Sequence, residues 1–136
     1  MTVEPNHTTM ILCDTNIFIE IYRRNATIRN IVLDKIGHDN IVVSDVTRAE
    51  LFYGAINKRE LQMIHKDLSR IPVLHIDPFI SKMAVDIVEK YCLSHKTNLE
   101  DALIAATAIL HRIELYTLNL KDFVFIPEIK LFQPSE

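Results

Sequence analysis

The sequence predicts an α/β domain, with a mainly parallel central sheet of four to five short strands and helices on both faces. Three observations carry that expectation. Short apolar runs of strand length alternate along the chain with stretches of helical periodicity. Nearly half of the 136 residues are hydrophobic, enough to bury one sizeable core. Only two residues are glycine, which fits a helix-rich chain rather than a loop-built one.

The elements follow in order. Met1 to Thr9 is polar and reads as a flexible tail (1–9) ahead of a single domain over 10–136. Met10 to Cys13 is the first strand-like run. A helix is expected from about Thr15 to Arg24 and a second from Ala26 to Lys35, closed by Gly37, because glycine accepts the left-handed backbone of a C-cap. Ile41 to Val43 reads as a strand and Val46 to Asn57 as a helix. Glu60 to Ser69 continues as helix until Pro72, which cannot extend one, and Val73 to Ile76 is a strand. Asp77 and Pro78 supply an N-cap and an N1 proline to a helix whose apolar stripe includes Ile80, Ala84, Ile87 and Tyr91. Asn98 or Thr97 caps the next helix, apolar almost all round and therefore central, which runs to about His111. Leu115 to Leu118 is a strand and Ile129 to Phe132 a last short one.

Composition narrows the function classes. No apolar run approaches the roughly 18 residues of a membrane span, and the first nine residues lead into no signal-peptide core. Cys13 and Cys92 give neither a disulfide framework nor a zinc spacing, which points to a reducing, cytoplasmic setting. The six histidines form no ligand pair at helical spacing. With Gly37 and Gly54 the only glycines there is no phosphate-cradling loop, and no serine elbow or Cys–His signature supports covalent hydrolysis. The net charge of −3 excludes nothing, since it turns slightly positive once four candidate metal-binding acids are set aside.

Those acids are the informative residues. Asp14, Glu50 and Asp101 each lie at or near the start of an expected helix, framed by apolar neighbours. Three carboxylates meeting in one pocket would repel pairwise by up to about 4 kcal/mol at 4 Å and an effective dielectric near 20. A hard divalent cation with oxygen ligands relieves that repulsion. Each acid also has a plainer reading. Asp14 serves equally as an N-cap, Glu50 as the partner of Thr47 in a capping box, and Asp101 as part of a cap begun by Asn98. Asp122 follows a strand and suits an Asx-turn. Asp77 needs no role beyond its cap.

Taken jointly the acids are more specific. Leu12-Cys13-Asp14-Thr15-Asn16, Ser44-Asp45-Val46-Thr47-Arg48-Ala49-Glu50-Leu51-Phe52-Tyr53-Gly54, Asp101-Ala102-Leu103-Ile104-Ala105-Ala106-Thr107-Ala108 and Thr117-Leu118-Asn119-Leu120-Lys121-Asp122-Phe123 occur in that order. Together they resemble the four motifs of the PIN-domain nucleases, specifically the VapC-type toxins of toxin–antitoxin pairs, and they span nearly the whole chain. The resemblance implies a metal-dependent endoribonuclease using Mg²⁺, with Mn²⁺ as substitute, and leaving a 5′-phosphate and a 3′-hydroxyl. It implies Asp14 and Asp101 as direct metal ligands, Glu50 ligating through water or orienting the attacking water, and Asp122 completing the acidic set. Many PIN domains carry an acid where Asn119 stands, so Asp122 and Asn119 both remain candidates for the fourth position. Thr15, Asn16 and Thr117 would orient the carboxylates, with Asn119 beside them. Arg48 and Lys121 could contact RNA phosphate, or simply lie on a solvated face. The implied partners are an RNA substrate, a cognate antitoxin and a second copy of the chain; Ile17, Phe18 and Ile21 would suit an antitoxin groove or an ordinary core face. A PIN-like module that only binds RNA or protein is the alternative. A haloacid-dehalogenase phosphatase fits poorly, since Asn16 stands where its second acid would be, and a response-regulator receiver lacks its paired acids.

Overall fold

The computed structural model describes residues 9–134, so the expected tail lies outside the described residues except for Thr9. Four strands, β1 (Ile11–Cys13), β2 (Ile41–Ser44), β3 (Val73–Leu74) and β4 (Glu114–Tyr116), form one parallel sheet in the order β3-β2-β1-β4. Ile11 pairs with Ile41 on one side and Glu114 on the other, so β1 is central. The helices are α1 (Thr15–Tyr22), α2 (Ala26–Asn30), α3 (Asp45–Tyr53), α4 (Lys58–Leu68), α5 (Pro78–His95) and α6 (Leu99–His111).

Strand alternation divides the interior into two cores. Leu12, Val42 and Leu115 point to the face covered by α5 and α6, where Ile80, Ala84, Ala102, Ala105 and Phe123 pack. Ile11, Cys13, Ile41, Val43 and Tyr116 point the other way, against Ile17, Phe18, Ile28, Ile64 and Leu68. Both faces are covered, as expected of a parallel sheet with short, largely apolar strands. Ile17 and Phe18 are buried in this core with Ile21 packed against it, and Phe18 and Ile21 also line an apolar pocket shared with Val32, Leu33 and Leu68.

Several boundaries differ from the sequence expectation, each for a local reason. The second helix is α-helical only to Asn30 and continues as a π-helix over Ile31–Ile36, ending with Gly37 N–H donating to Val32 O at 2.8 Å. The wider turn keeps Ile28, Val32 and Ile36, four residues apart, together in one core. The helix expected to reach Asn57 stops at Tyr53, because Asn57 instead caps α4 by accepting from Glu60 N–H at 2.8 Å. That starts α4 at Lys58. β3 ends at Leu74 because Asp45 captures Ile76 N–H at 2.8 Å and His75 at 2.9 Å. β4 ends at Tyr116, and the expected last strand reduces to a single parallel bridge between Leu115 and Leu131. Asp77 caps α5 and Asn98 caps α6, each accepting from the third helical N–H at 2.8 Å.

Gly37 closes the π-helix with φ +95°, and a Cβ there would lie 2.9 Å from Asn40 Nδ2, whose own hydrogen bond to Ile36 O (2.8 Å) resists its moving. Gly37→Ala is therefore expected to cost about 2 kcal/mol, lowering Tm by roughly 6–10 °C in a thermal melt. A Tm within 2 °C of the parent would show that this turn relaxes freely.

Candidate active site

In the order β3-β2-β1-β4 the chain reverses direction of winding at β1, which opens a crevice at the carboxyl ends of β1 and β4. Asp14 directly follows β1 and Thr117 directly follows β4, so the topology brings them side by side. Asp14 is 5% exposed. Its carboxylate accepts from Thr15 N–H (2.8 Å) and the Thr117 hydroxyl (2.8 Å), with Asn16 Nδ2 at 3.4 Å. Asn16 in turn accepts Leu118 N–H at 3.1 Å, and Asn119 N–H donates to Thr117 Oγ1 at 3.0 Å. These bonds clamp the start of α1 to the end of β4. Asp14 is thus the N-cap of α1 and also a buried carboxylate that lines the crevice.

Glu50 is placed by α3. Ser44, not Thr47, caps this helix by accepting Thr47 N–H at 3.1 Å, so Glu50 is not a capping-box partner. Nor is it turned into the core: it is exposed, on the face of α3 that meets the crevice. The Thr15 hydroxyl donates to Glu50 Oε1 at 2.5 Å. Thr15 has only one hydroxyl proton, so the fully buried Thr47, 3.0 Å away, must donate to Thr15. A Thr47–Thr15–Glu50 relay results, and sequence reasoning had taken Thr47 only as a cap.

Asp101 is the third residue of α6. Its backbone N–H is used by Asn98, but its carboxylate makes no hydrogen bond to a described residue. It lines a cleft of about 1020 Å³ together with Asp14, Thr15, Asn16, Glu50 and Asn119, and with two acids not singled out from sequence, Asp45 and Glu100. Asp122, in a 3₁₀ turn over Leu120–Asp122, does not line the cleft. It makes no Asx-turn bond, and its charge is felt by both Asp14 and Asp101. Arg48 and Lys121 lie off the cleft lining. Arg48 sits over the Phe52 ring at 5.4 Å with its nearest carboxylate, Asp45, at 3.8 Å, and Lys121 is exposed.

The electrostatics bear out the crowding of charge. Burial, then the charges of Asp14, Asp122, Glu50 and Glu100, push the Asp101 carboxyl up to about 6. Burial also raises Asp14, helped by Glu50 and Asp122 and opposed by the bonds from Thr117 and Thr15. Among the described residues no three His, Cys, Asp or Glu side chains are drawn tightly enough to enclose an ion. The donor set is nonetheless all oxygen and mutually repulsive, which is the chemistry that a hard divalent cation satisfies.

A model of the PIN domain family matches residues 11–124. The chain is 30% identical over 122 residues to Ribonuclease VapC10 of Mycobacterium tuberculosis, an alignment covering 89% of this chain and 91% of that protein. A toxin–antitoxin complex from Klebsiella pneumoniae contains a chain of the same fold, with 32% identity, a TM-score of 0.71, and coverage of 93% of this chain and 98% of that one. DNA-bound VapBC from Salmonella typhimurium shares the fold at a TM-score of 0.77 and 24% identity, covering 91% and 97%. All four motif stretches lie inside the matched residues, as do the four strands and the residues that line the cleft: the chain belongs to the PIN domain family.

Proposed function

We propose that this chain is the toxin of a toxin–antitoxin pair, a divalent-metal-dependent endoribonuclease whose working domain occupies 10–136. The observation that carries the reading is the convergence of Asp14, Glu50 and Asp101 on one cleft at the sheet's switch point, with the Asp14 and Asp101 carboxyls shifted upward partly by their acidic neighbours. The family membership and the relatives named ribonuclease and toxin–antitoxin complex support it.

In this reading Asp14 and Asp101 bind Mg²⁺, or Mn²⁺, directly; Glu50 acts through water, and Asp122 or Asn119 completes the fourth position. When bound, the cation lowers the pKa of water and offsets charge on the phosphodiester. Glu50 takes the proton of the attacking water, its carboxylate held in place by the Thr15 hydroxyl. Asn16 and Thr117 fix the Asp14 rotamer toward the cleft. In-line attack leaves a 5′-phosphate and a 3′-hydroxyl without using the RNA 2′-hydroxyl, so preference for RNA comes from the groove and from single-stranded loops. A cognate antitoxin that masks the cleft, a homodimeric assembly and a cytoplasmic setting belong to the same proposal. No helix among the described residues is long and apolar enough to cross a membrane.

The test is incubation of the purified chain with a mixed RNA pool in Mg²⁺, Mn²⁺ or EDTA. Cutting in either metal, abolished by EDTA and leaving 5′-phosphate ends, is the expected result. Cutting that persists in EDTA would overturn the metal mechanism, and binding of the pool without cutting would favour the module that only binds.

A further inference from the structure

We propose that Tyr53 is the platform on which a nucleobase of the RNA stacks beside the acidic cleft, an assignment that rests on the nuclease reading. Tyr53 is 94% exposed, and its side chain makes no ring contact or hydrogen bond to a described residue. It ends α3 one turn beyond Glu50 and lines the same cleft. Val46, Ala49, Glu50 and Tyr53 follow the i, i+3, i+4, i+7 spacing of a single helical face, so one face of α3 presents both the acid and the aromatic ring.

Charge explains why such a platform is needed. Asp14, Asp45, Glu50, Glu100 and Asp101 line the cleft, and among the described residues no lysine, arginine or histidine does. Most RNA-binding grooves gain their affinity from cations that meet phosphate, whereas this lining repels it. Attraction must then come from the metal and from the flat apolar faces of the bases. The cleft supplies an apolar wall suited to a base: Tyr53 with the half-exposed Ile76 and Ile19. Ile76 is held there by its N–H bond to Asp45. The cleft volume is ample for a nucleotide.

The sequence contains no tryptophan, so Tyr53→Trp introduces a single fluorescent reporter at an exposed site. Placed in an Asp101→Asn background so that the probe stays intact, it is titrated with a short oligoadenylate and with an abasic ribose-phosphate oligomer of equal length. Quenching by the oligoadenylate and none by the abasic oligomer is expected. In parallel, Tyr53→Ala is expected to lower kcat/KM on the RNA pool by roughly 10-fold, while Tyr53→Phe and Tyr53→Trp keep most of it. Equal quenching by both oligomers, or full cleavage by Tyr53→Ala, overturns the assignment. Full cleavage by Tyr53→Ala joined to lost inhibition by a bound protein would give this surface to a partner instead. If the parent chain cuts no RNA the nuclease reading falls, and the quenching comparison still decides the stacking.

Discussion

Asp101→Asn is expected to abolish metal-dependent RNA cleavage, by about 10³-fold or more, while making the metal-free protein more stable. The two effects share one cause. The Asp101 carboxylate is half-buried, faces other acids and accepts no hydrogen bond from a described residue, so its charge is unfavourable to the fold and of use only to a bound cation. Its folded pKa of about 6 lies above the ordinary aspartate value of 3.8. A group raised in this way contributes stability that is complete below about 4 and is lost as pH rises through about 6. A shift of that size would be worth about 3 kcal/mol if fully transmitted, and solvent screening at a half-exposed site leaves about 1 kcal/mol. In EDTA at pH 8 the variant should therefore melt roughly 3–5 °C above the parent, and the gap should close near pH 4. Adding Mg²⁺ should raise the parent's Tm and leave the variant's unchanged. A variant less stable than the parent at pH 8 would show that the carboxylate supports the helix end rather than burdening it.

The contrast between acids also shows what could be read in the sequence and what could not. The apolar runs over Ile11-Leu12-Cys13 and Ile41-Val42-Val43 mark strands, and the two-residue period of a strand then sends Leu12 and Val42 to one core and their neighbours to the other. Asp77-Pro78 and Asn98 mark their helix starts by chemistry that acts within three residues, and both caps form. Errors arose where a backbone group is claimed by a side chain far away in sequence. Asp45 stops β3 from 31 residues upstream through Ile76 N–H, and Asn16 takes Leu118 N–H across the sheet. No local periodicity signals such bonds.

The same limit holds at the site. The four motif stretches identified Asp14, Glu50 and Asp101 individually, and their order along the sequence supplied the resemblance. The relay from Thr47 through Thr15 to Glu50 joins residues more than 30 positions apart, and only burial of the Thr47 hydroxyl reveals it. The Asn57-x-x-Glu60 cap, by contrast, was a local signal that the apolar pattern running past Gly54 obscured.

Asp14 should separate chemistry from architecture in the opposite sense to Asp101. Asp14→Ala and Asp14→Asn are both expected to be inactive, yet they should differ in the metal-free melt. Alanine leaves Thr15 N–H and the Thr117 hydroxyl without their acceptor in a buried corner, removes the α1 cap and loosens the tie between β4 and α1. Each of the two orphaned donors, one of which is the cap bond itself, costs about 1–3 kcal/mol, against which relief of a buried, raised carboxylate is a partial offset. A net loss of about 2 kcal/mol, or roughly 6–10 °C in Tm, follows for alanine. Asparagine keeps an oxygen for Thr15 N–H, and the Thr117 hydroxyl can turn to accept from its amide, so its Tm should stay near that of the parent. If alanine proves as stable as asparagine, the corner where β1, β4 and α1 meet does not depend on this carboxylate, and Asp14 is retained for its chemistry alone. Destabilisation by alanine with none by asparagine instead gives the residue two separable roles. It accepts the bonds that close the corner, and it carries the charge that the corner would be more stable without.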